Sequence, residues 1–420
     1  MIMCKKIIAH IVFEAKTPLK VSSNRFDFFK DSVIQRDWND LPMILGTSLC
    51  GILRKDYAYD NEDEIFGKEN ASKVIFSNAL FLDENEKVNE DLILEKSEFL
   101  KLASRLTQRD HNSISSKGVT KNAAKFDEEI IYKGSRFKFS MEMPVNSEQD
   151  EKDFNHILDL LSKNTFRVGG GSTKGYGEIK VISIKYDIFE SSSQKYIDFS
   201  SSLNENLSQE YPIKENIDDS FDHYRLLLSP EDYFIFGSSC ADNEADDVNL
   251  KEQIIDYTNQ CLSKPLCVIP ASSIKGALSH RTCFHYNKLK GNFIGSNTVV
   301  DNVESIFGSK KEQTNSSKAK ILIHDVFLQE TKEKVFNHVG IDRFTSGAIN
   351  GALFQEKAIS CNEYCLDIYL KKDIQDKEAI EAFEFALCDL AKANLALGGK
   401  STKGHGYFYG KVIKNGESIC

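Results

Sequence analysis

The sequence lacks a long apolar segment, a cysteine framework and an excess of positive charge, and each absence excludes a class of protein. No apolar run approaches the roughly 18–20 residues that a membrane-spanning helix needs. The ten cysteines include no CxxC pair, so we expect reduced, mostly buried cysteines in a cytoplasmic protein with no membrane partner. A net charge of −10 argues against a free-standing nucleic-acid binder, although it leaves room for a locally basic surface.

The chain contains the same pair of motifs twice. GTSLCGILR at residues 46–54 returns as ASSIKGALSHR at 271–281, and FRVGGGSTKGYG at 166–177 returns as LALGGKSTKGHG at 395–406. The offset is nearly constant and too long for a solenoid repeat, which indicates two tandem copies of one globular domain. A length of 420 residues fits two such domains.

The order of predicted elements is also repeated. We expect a first domain at 1–190, a Ser-, Asn- and charge-rich linker at 191–220, and a second domain at 221–420. Each domain reads as strand, helix, strand, strand, helix, strand, which predicts an α+β fold of the ferredoxin-like (RRM-like) type. A turn-rich segment in each copy predicts a hairpin that projects from this body.

The repeated loops are rich in small and basic residues. The SLCG and SIKG turns begin a helix, where unpaired N–H groups and a positive dipole end favour phosphate. The glycine loops follow a helix and precede a strand, the reverse of a P-loop, so we expect the phosphates of a polymer rather than a nucleotide triphosphate. A plain N-cap and a glycine helix stop are the alternatives without a ligand. The candidate phosphate-binding residues are Ser48, Arg54, Gly170, Lys174, Ser273, Lys275, Arg281, Gly399 and Lys403.

Together these motifs resemble the RAMP superfamily of CRISPR-associated proteins. Copy two, with its SIKG turn, a segment opening IDRFTS and the loop GGKSTKGHG, resembles the backbone subunits of type III effector complexes. Two such domains in one chain resemble the double-backbone subunits of type III-D-like complexes. The resemblance implies that both loops hold guide-RNA phosphates and that a thumb-like hairpin wedges into the guide–target duplex. Thr345, Ala348 and Leu353 would belong to this thumb, and Arg343 would help to anchor it.

The resemblance also implies a catalytic acid between the first strand and the SxxG turn. In copy one this is Asp31, with Asp27 and Asp37 as local competitors; in copy two it is Asp246, with Asp247 next to it. The implied reaction is attack of a ribose 2′-OH on its own phosphate, assisted by Mg²⁺ or a similar divalent cation. Both acids also suit ordinary solvated loops.

The expected partners are guide RNA, complementary target RNA and other effector subunits, and three functions stay open. The first is a subunit that cleaves target RNA, the second is a scaffold that binds RNA without cutting it, and the third is an enzyme that trims precursor guide. No His, Tyr or Lys constellation favours the third. Copy one departs from copy two by having Cys50 in place of Lys275. His111 and Trp38 are expected to have incidental or packing roles.

Overall fold

The structure is a computed structural model that describes residues 5–420, apart from positions 24, 26, 29, 115–119, 239, 293–302 and 310–317. The side chains of 113, 114 and 120–124 also lie outside the description. The described part is a mixed α+β fold in which most strand pairs are antiparallel. None of its helices has the length and apolar character needed to span a bilayer.

The elements are numbered along the chain. The helices are α1 Gly46–Asp56, α2 Glu62–Phe66, α3 Glu98–Ser104, α4 Glu148–Leu161, α5 Gln194–Ile197, α6 Ala271–Lys290, α7 Glu304–Phe307 and α8 Lys377–Ala391. The strands up to residue 210 are β1 Lys5–Ala15, β2 Met43–Ile44, β3 Ile75–Phe76, β4 Ala79–Phe81, β5 Thr107–Ile114, β6 Thr120–Ile130, β7 Arg136–Val145, β8 Ile179–Glu190 and β9 Gln209–Glu210. The later strands are β10 Phe221–Pro230, β11 Asp247–Val248, β12 Lys251–Glu252, β13 Ile255–Asp256, β14 Cys261–Leu262, β15 Leu266–Ile269, β16 Ile321–Ile323, β17 Val326–Leu328, β18 Lys332–Ile341, β19 Ala348–Ser360, β20 Tyr364–Lys371, β21 Phe408–Lys414 and β22 Glu417–Ser418.

The first half is built on a seven-stranded sheet in the order β2-β4-β7-β1-β8-β9, with β3 also paired to β7. Strand β1 pairs antiparallel with β7 on one side and with β8 on the other. Its alternating residues Ile7, Ala9, Ile11 and Phe13 are buried in the same core as the apolar side of α4. Helix α4 begins at a capping box formed by Ser147 and Asp150.

The second half repeats this strand order. Its sheet runs β16-β20-β10-β21-β22, so β10 lies between β20 and β21 as β1 lies between β7 and β8. Helix α8 packs against α6, and both contribute buried residues to one core under the sheet. In β10 the even-numbered residues Tyr224, Leu226 and Leu228 are buried, whereas Arg225 points to the other face and is exposed.

The predicted linker is more structured than its composition indicates. Strand β8 ends at Glu190 and β10 begins at Phe221, but between them β9 adds to the first sheet. Leu207 forms a small apolar cluster with Ile8 and Phe189, against which Tyr196 and Phe199 pack. Residues 191–211 therefore cover one face of the first sheet. Sequence patterning misses this because the few apolar residues of the segment have no regular spacing.

Two long hairpins lie outside the main sheets. One is formed by β5 and β6 and the other by β18 and β19, with β11 added parallel to β19. The tip of the first hairpin lies outside the described residues. At the tip of the second, the carboxylate of Asp342 accepts hydrogen bonds from the N–H groups of Phe344 and Thr345. Phe344 is almost fully exposed.

Candidate functional site

The first glycine loop (residues 166–177) packs against the start of helix α6 in the other half of the chain. Lys275 Nζ donates a hydrogen bond of 3.2 Å to Thr173 Oγ1. Gly175 has a φ of +100°, and a Cβ there would lie 2.4 Å from Asp325 Oδ1 and 2.8 Å from Ala271 Cβ. Only glycine allows so close an approach. The glycine loop of copy one and the SIKG turn of copy two thus form a single composite surface.

A buried ion cluster fixes this junction. Arg109, on β5, donates two hydrogen bonds of 2.7 Å to Glu252 and a third of 2.7 Å to Asp325. Asp325 in turn accepts a hydrogen bond of 2.7 Å from the first N–H of α6, at Ala271. Burial alone would lower the pKa of Arg109, but the charges of Asp325 and Glu252 outweigh burial and hold the pKa above its ordinary value. The cluster therefore sets the position of the glycine loop on α6.

Two lysines lie close together on the composite surface. Burial, and to a smaller extent the charge of Lys174, lowers the pKa of Lys275 to about 8. Lys174 Nζ lies 3.3 Å from Glu128 Oε1 and its side chain is about one-third exposed (34%). Bringing two ammonium groups together costs free energy, and a bound phosphate would offset that cost. The surface therefore has the chemistry of an anion site.

Nothing in the described part of the structure requires glycine at the two SxxG positions, Gly51 and Gly276. Gly51 and Gly276 lie inside α1 and α6, and neither has a positive φ. Apart from the local helix backbone, no described heavy atom lies within 4 Å of the position that a Cβ would occupy at either residue. Glycine inside a helix costs about 0.5–1 kcal/mol relative to alanine. Both copies accept this cost at an exposed position, where the missing side chain leaves the helix backbone open to a ligand.

Each glycine loop contains two adjacent glycines that differ in role, Gly169 and Gly170 in copy one and Gly398 and Gly399 in copy two. The fold requires glycine at the first position of each pair but not at the second. Gly169 and Gly398 have positive φ, and a Cβ on either would lie within 2.5 Å of a backbone oxygen. At Gly170 and Gly399, two of the predicted phosphate-binding residues, the nearest described atoms to a Cβ are 3.6 Å away or more. Their N–H groups donate to Lys20 O and Ile235 O, each over 2.8 Å, so these two N–H groups are already engaged.

A buried glutamate connects each glycine loop to its hairpin. Glu128, on β6, lies in contact with Lys20, Lys174 and His111. Burial raises the pKa of Glu128, but hydrogen bonds from His111 and Lys20 outweigh it and bring the pKa below its ordinary value. His111 Nε2 also lies 3.0 Å from Tyr176 Oη, so this histidine joins hairpin to loop.

Copy two builds the same cluster around Glu356, on β19. Lys403 Nζ lies 3.0 Å from Glu356 Oε2, and His338 and His405 lie 2.9 and 3.2 Å from Oε1. Burial opposes the charge of Glu356, but Lys403 and His338 outweigh it and lower the pKa. Lys174 and Lys403 thus each share their charge with a buried carboxylate, and both remain partly exposed.

The structure places Asp31 and Asp246 at equivalent positions. The Asp31 carboxylate accepts a hydrogen bond of 3.0 Å from the N–H of Asp127, and the Asp246 carboxylate one of 2.8 Å from the N–H of Gln355. Asp127 and Gln355 each directly precede the buried glutamate on the hairpin strand. Both acids are exposed, and neither forms an ion pair with a described residue.

The competing acids have other partners. Asp37 accepts hydrogen bonds from the N–H groups of Asn39 and Leu41 within its own turn. In copy two, Asp242 pairs with Lys357 over 2.5 Å and Asp247 with Lys400 over 3.0 Å. These contacts distinguish Asp246 from Asp242 and Asp247, a distinction that the sequence alone does not make.

A divalent cation at either acid would need further ligands from a bound substrate. Across the described residues no group of three or more His, Cys, Asp or Glu side chains is arranged to hold a metal. Mg²⁺, however, commonly uses one or two carboxylates together with substrate phosphate. In copy one a second carboxylate lies beside Asp31, because the N–H of Asp31 donates a hydrogen bond of 3.1 Å to Asp127 Oδ1. In copy two the residue equivalent to Asp127 is Gln355, an amide, so Asp246 has no such second carboxylate.

Several predicted residues lie away from the composite surface. Arg54 pairs with Glu62 and Asp63, both over 2.6 Å, and therefore ties α1 to α2. Arg281 pairs with Asp389 of α8 over 2.5 Å. Arg343 is exposed at the tip of the second hairpin. Ser48 lies in the first turn of α1. Ser273, by contrast, belongs to the SIKG turn of the composite surface and is exposed in the first turn of α6.

Sequence reasoning missed the buried ion cluster and the two glutamates. The signal for the glutamates was present, because Glu128 and Glu356 occupy the same place relative to the repeated glycine loops. No sequence signal pointed to Arg109, because its partners Glu252 and Asp325 are more than one hundred residues away in the chain.

Comparison with known proteins gives one family. The family model described as the RAMP superfamily matches residues 12–180 and 248–409, one region in each half. No curated protein sequence is detectably similar to the chain. Among solved structures, a chain of the type III-B Cmr-beta complex bound to cognate target RNA aligns at 16% identity and a TM-score of 0.33. That alignment covers 44% of this chain and 61% of the other, and similarity at this level does not extend to function.

Proposed function

The chain belongs to the RAMP superfamily, and from that premise we propose that it is a guide-RNA-binding backbone subunit of a type III CRISPR effector complex. The double-domain form resembles type III-D. Each half would be a ferredoxin-like body with a thumb hairpin, the second thumb containing Thr345, Ala348 and Leu353 with Arg343 at its tip. Guide RNA, target RNA and neighbouring effector subunits are the proposed partners.

One observation carries the RNA-binding proposal. The helix glycines Gly51 and Gly276 leave the backbone exposed in both copies, and no described residue packs where their side chains would lie. At Gly276 this bare backbone adjoins Lys275, which faces Lys174 across the domain junction. A bare helix turn beside two lysines suits a sugar–phosphate backbone that runs from one domain to the next.

The same premise supports a role in cleavage for Asp31 and Asp246. Each acid is held against the base of a hairpin by a backbone hydrogen bond, so its free carboxylate oxygen has a fixed position. Mg²⁺ bound by the acid and an RNA phosphate would stabilise the charge that develops as the 2′-OH attacks. In copy one that ion would be held by Asp31 and Asp127, and in copy two by Asp246 alone. The products would have a cyclic phosphate and a 5′-hydroxyl.

The test uses the complex assembled on a guide. Labelled complementary RNA is added with Mg²⁺, and the cuts are mapped for the wild type, Asp31→Ala and Asp246→Ala, with Asp37→Ala as a control acid from the same loop. We expect each site variant to lose one set of cuts and the control to keep both. Unchanged cuts in both site variants and in EDTA would disprove the nuclease assignment.

A scaffold without nuclease activity is the second candidate. It is favoured by the hydrogen bonds that Asp31 and Asp246 already accept, which give both acids a structural use in joining loop to hairpin. In that case the complex would retain guide and target without cutting either. The Ala variants would then lower the melting temperature and leave the RNA unchanged.

A further inference from the structure

The base of each hairpin contains the same three-residue pattern, Phe-Asp-Glu at residues 126–128 on β6 and Phe-Gln-Glu at 354–356 on β19. Successive side chains of a strand point to opposite faces, so the phenylalanine and the glutamate of each triplet share one face. The middle residue of each triplet is the one whose N–H group donates a hydrogen bond to Asp31 or Asp246. Each triplet therefore offers a ring and a carboxylate together, beside the residue that holds the acid.

A lysine of the glycine loop lies over this ring in both copies. Lys174 Nζ is 4.7 Å from the centroid of the Phe126 ring, and Lys403 Nζ is 4.4 Å from that of Phe354. The glutamate of the same triplet contacts the same ammonium group, over 3.3 Å in copy one and 3.0 Å in copy two. Each loop lysine is thus held by two groups of one strand, an aromatic ring and a buried carboxylate.

A histidine on the neighbouring strand supports each ring. His111 stacks on Phe126 with ring centroids 5.0 Å apart and 17° between the planes, and His338 stacks on Phe354 at 4.8 Å and 23°. The two residues of each stack lie directly opposite one another across the hairpin. Cross-strand pairs of this kind stabilise a hairpin. The stack therefore fixes the orientation of the ring that the lysine meets.

A lysine held in this way is prepared for a phosphate. The side chains of Lys174 and Lys403 remain 34% and 32% exposed, so a further partner can reach them. An ammonium group has three N–H donors, and the attraction of a ring face adds to its hold without accepting a conventional hydrogen bond. A mobile lysine loses rotamer freedom when it binds a ligand, whereas a lysine that is already held loses little more.

We propose that Phe126 and Phe354 are positioning residues that hold the ammonium groups of Lys174 and Lys403 where the phosphates of guide RNA pass. The proposal rests on the proposed function for the nature of the ligand and adds the residues that set its lysines in place. In this role each ring acts through its lysine and does not itself contact RNA. Because the same triplet also holds Asp31 or Asp246, it keeps the lysine and the acid at a fixed spacing.

The test is a double-mutant cycle in copy two of the full chain. The affinity for a fluorescent guide RNA is measured by anisotropy for the wild type, Phe354→Leu, Lys403→Gln and the double variant. Leucine keeps an apolar side chain on the strand but removes the ring face. We expect Phe354→Leu to lose about two- to fivefold in affinity and Lys403→Gln to lose more. The double variant should bind no more weakly than Lys403→Gln, because the ring acts only through the lysine.

Two further variants separate positioning from a general disturbance of the fold. Phe354→Tyr keeps the ring and should bind as the wild type does. Phe385→Leu, on α8, is the matched control, because Phe385 is exposed to a similar extent (42% against 37%) and also lies beside a histidine, with ring centroids 5.5 Å apart. This control should leave the affinity unchanged. An equal loss in the control, or the same loss in Phe354→Tyr as in Phe354→Leu, would overturn the proposal.

The cycle distinguishes failure of this proposal from failure of the proposed function. Losses that add in the double variant would show that the ring acts independently of the lysine, and the proposal would be wrong. If Lys403→Gln weakens binding and Phe354→Leu does not, the loop binds RNA without the ring, so the positioning role is overturned and the proposed function stands. If Lys403→Gln binds as tightly as the wild type, the proposed function loses this loop and the positioning role is overturned with it.

Discussion

Replacing Gly276 by alanine should stabilise the protein and weaken its binding to RNA. Alanine is favoured over glycine inside a helix by about 0.8–1.0 kcal/mol. The new methyl group would meet no described atom outside the local helix, so no clash offsets this gain. For a domain of this size the melting temperature should rise by about 2–4 °C. Guide-RNA affinity should fall by about tenfold, or 1.4 kcal/mol, because the methyl group would lie where a phosphate approaches.

The two measurements are thermal unfolding and fluorescence anisotropy with a guide RNA. Gly51→Ala should behave in the same way in copy one. Asn155→Ala, an exposed neutral position on α4, is the matched control and should gain stability without any change in affinity. If Gly276→Ala is stabilised and binds RNA as tightly as the wild type, the helix glycines have no role in binding and our reasoning from them is refuted.

Three further predictions concern charge. Because burial lowers the pKa of Lys275 to about 8, guide-RNA affinity should fall as the pH rises from 7 to 9. The Lys275→Arg variant should show a flatter dependence on pH. An equally steep dependence in that variant would show that Lys275 is not the titrating group. Arg109→Ala should lower the free energy of unfolding in urea by about 3–5 kcal/mol, because it leaves two buried acids unpaired, whereas the exposed control Arg105→Ala should change it by less than about 0.5 kcal/mol. The pKa of Glu356 is lowered in the folded state, so its contribution to the free energy of unfolding is present above its ordinary pKa of 4.5 and is lost as the pH falls below that value. The wild type should therefore lose more stability between pH 6 and pH 3 than Glu356→Gln. Parallel stability curves for the two proteins would contradict this.

The sequence predicted the repeated architecture well because it depends on two local signals, the alternation of apolar residues in strands and the repeated glycine loops. Alternation in β1 and β10 and the repeated glycine loops follow from neighbouring residues, and the structure gives both halves the same strand order. The covering role of residues 191–211 and the contacts of Arg109 depend on packing between distant segments, which no local pattern encodes. The family model confirms the assignment to the RAMP superfamily.

The candidate site was predicted in part. Lys174 and Lys275 were selected separately, one in each copy, and the structure brings them together across the junction of the halves. Sequence could not show this, because the pairing is between the loop of one copy and the helix of the other. Arg54 was selected for its charge, but its acidic partners lie within nine residues and engage it. RNA binding and catalysis by the predicted residues stay predictions.

The central claim is that guide RNA lies on the SxxG turns and glycine loops of both halves. The most direct measurement is ultraviolet crosslinking of thiouridine-containing guide RNA in the assembled complex, followed by mass spectrometry of the crosslinked peptides. We predict crosslinks within residues 46–54, 166–177, 271–281 and 395–406. Crosslinks confined to other segments, with none in these four, would contradict the claim.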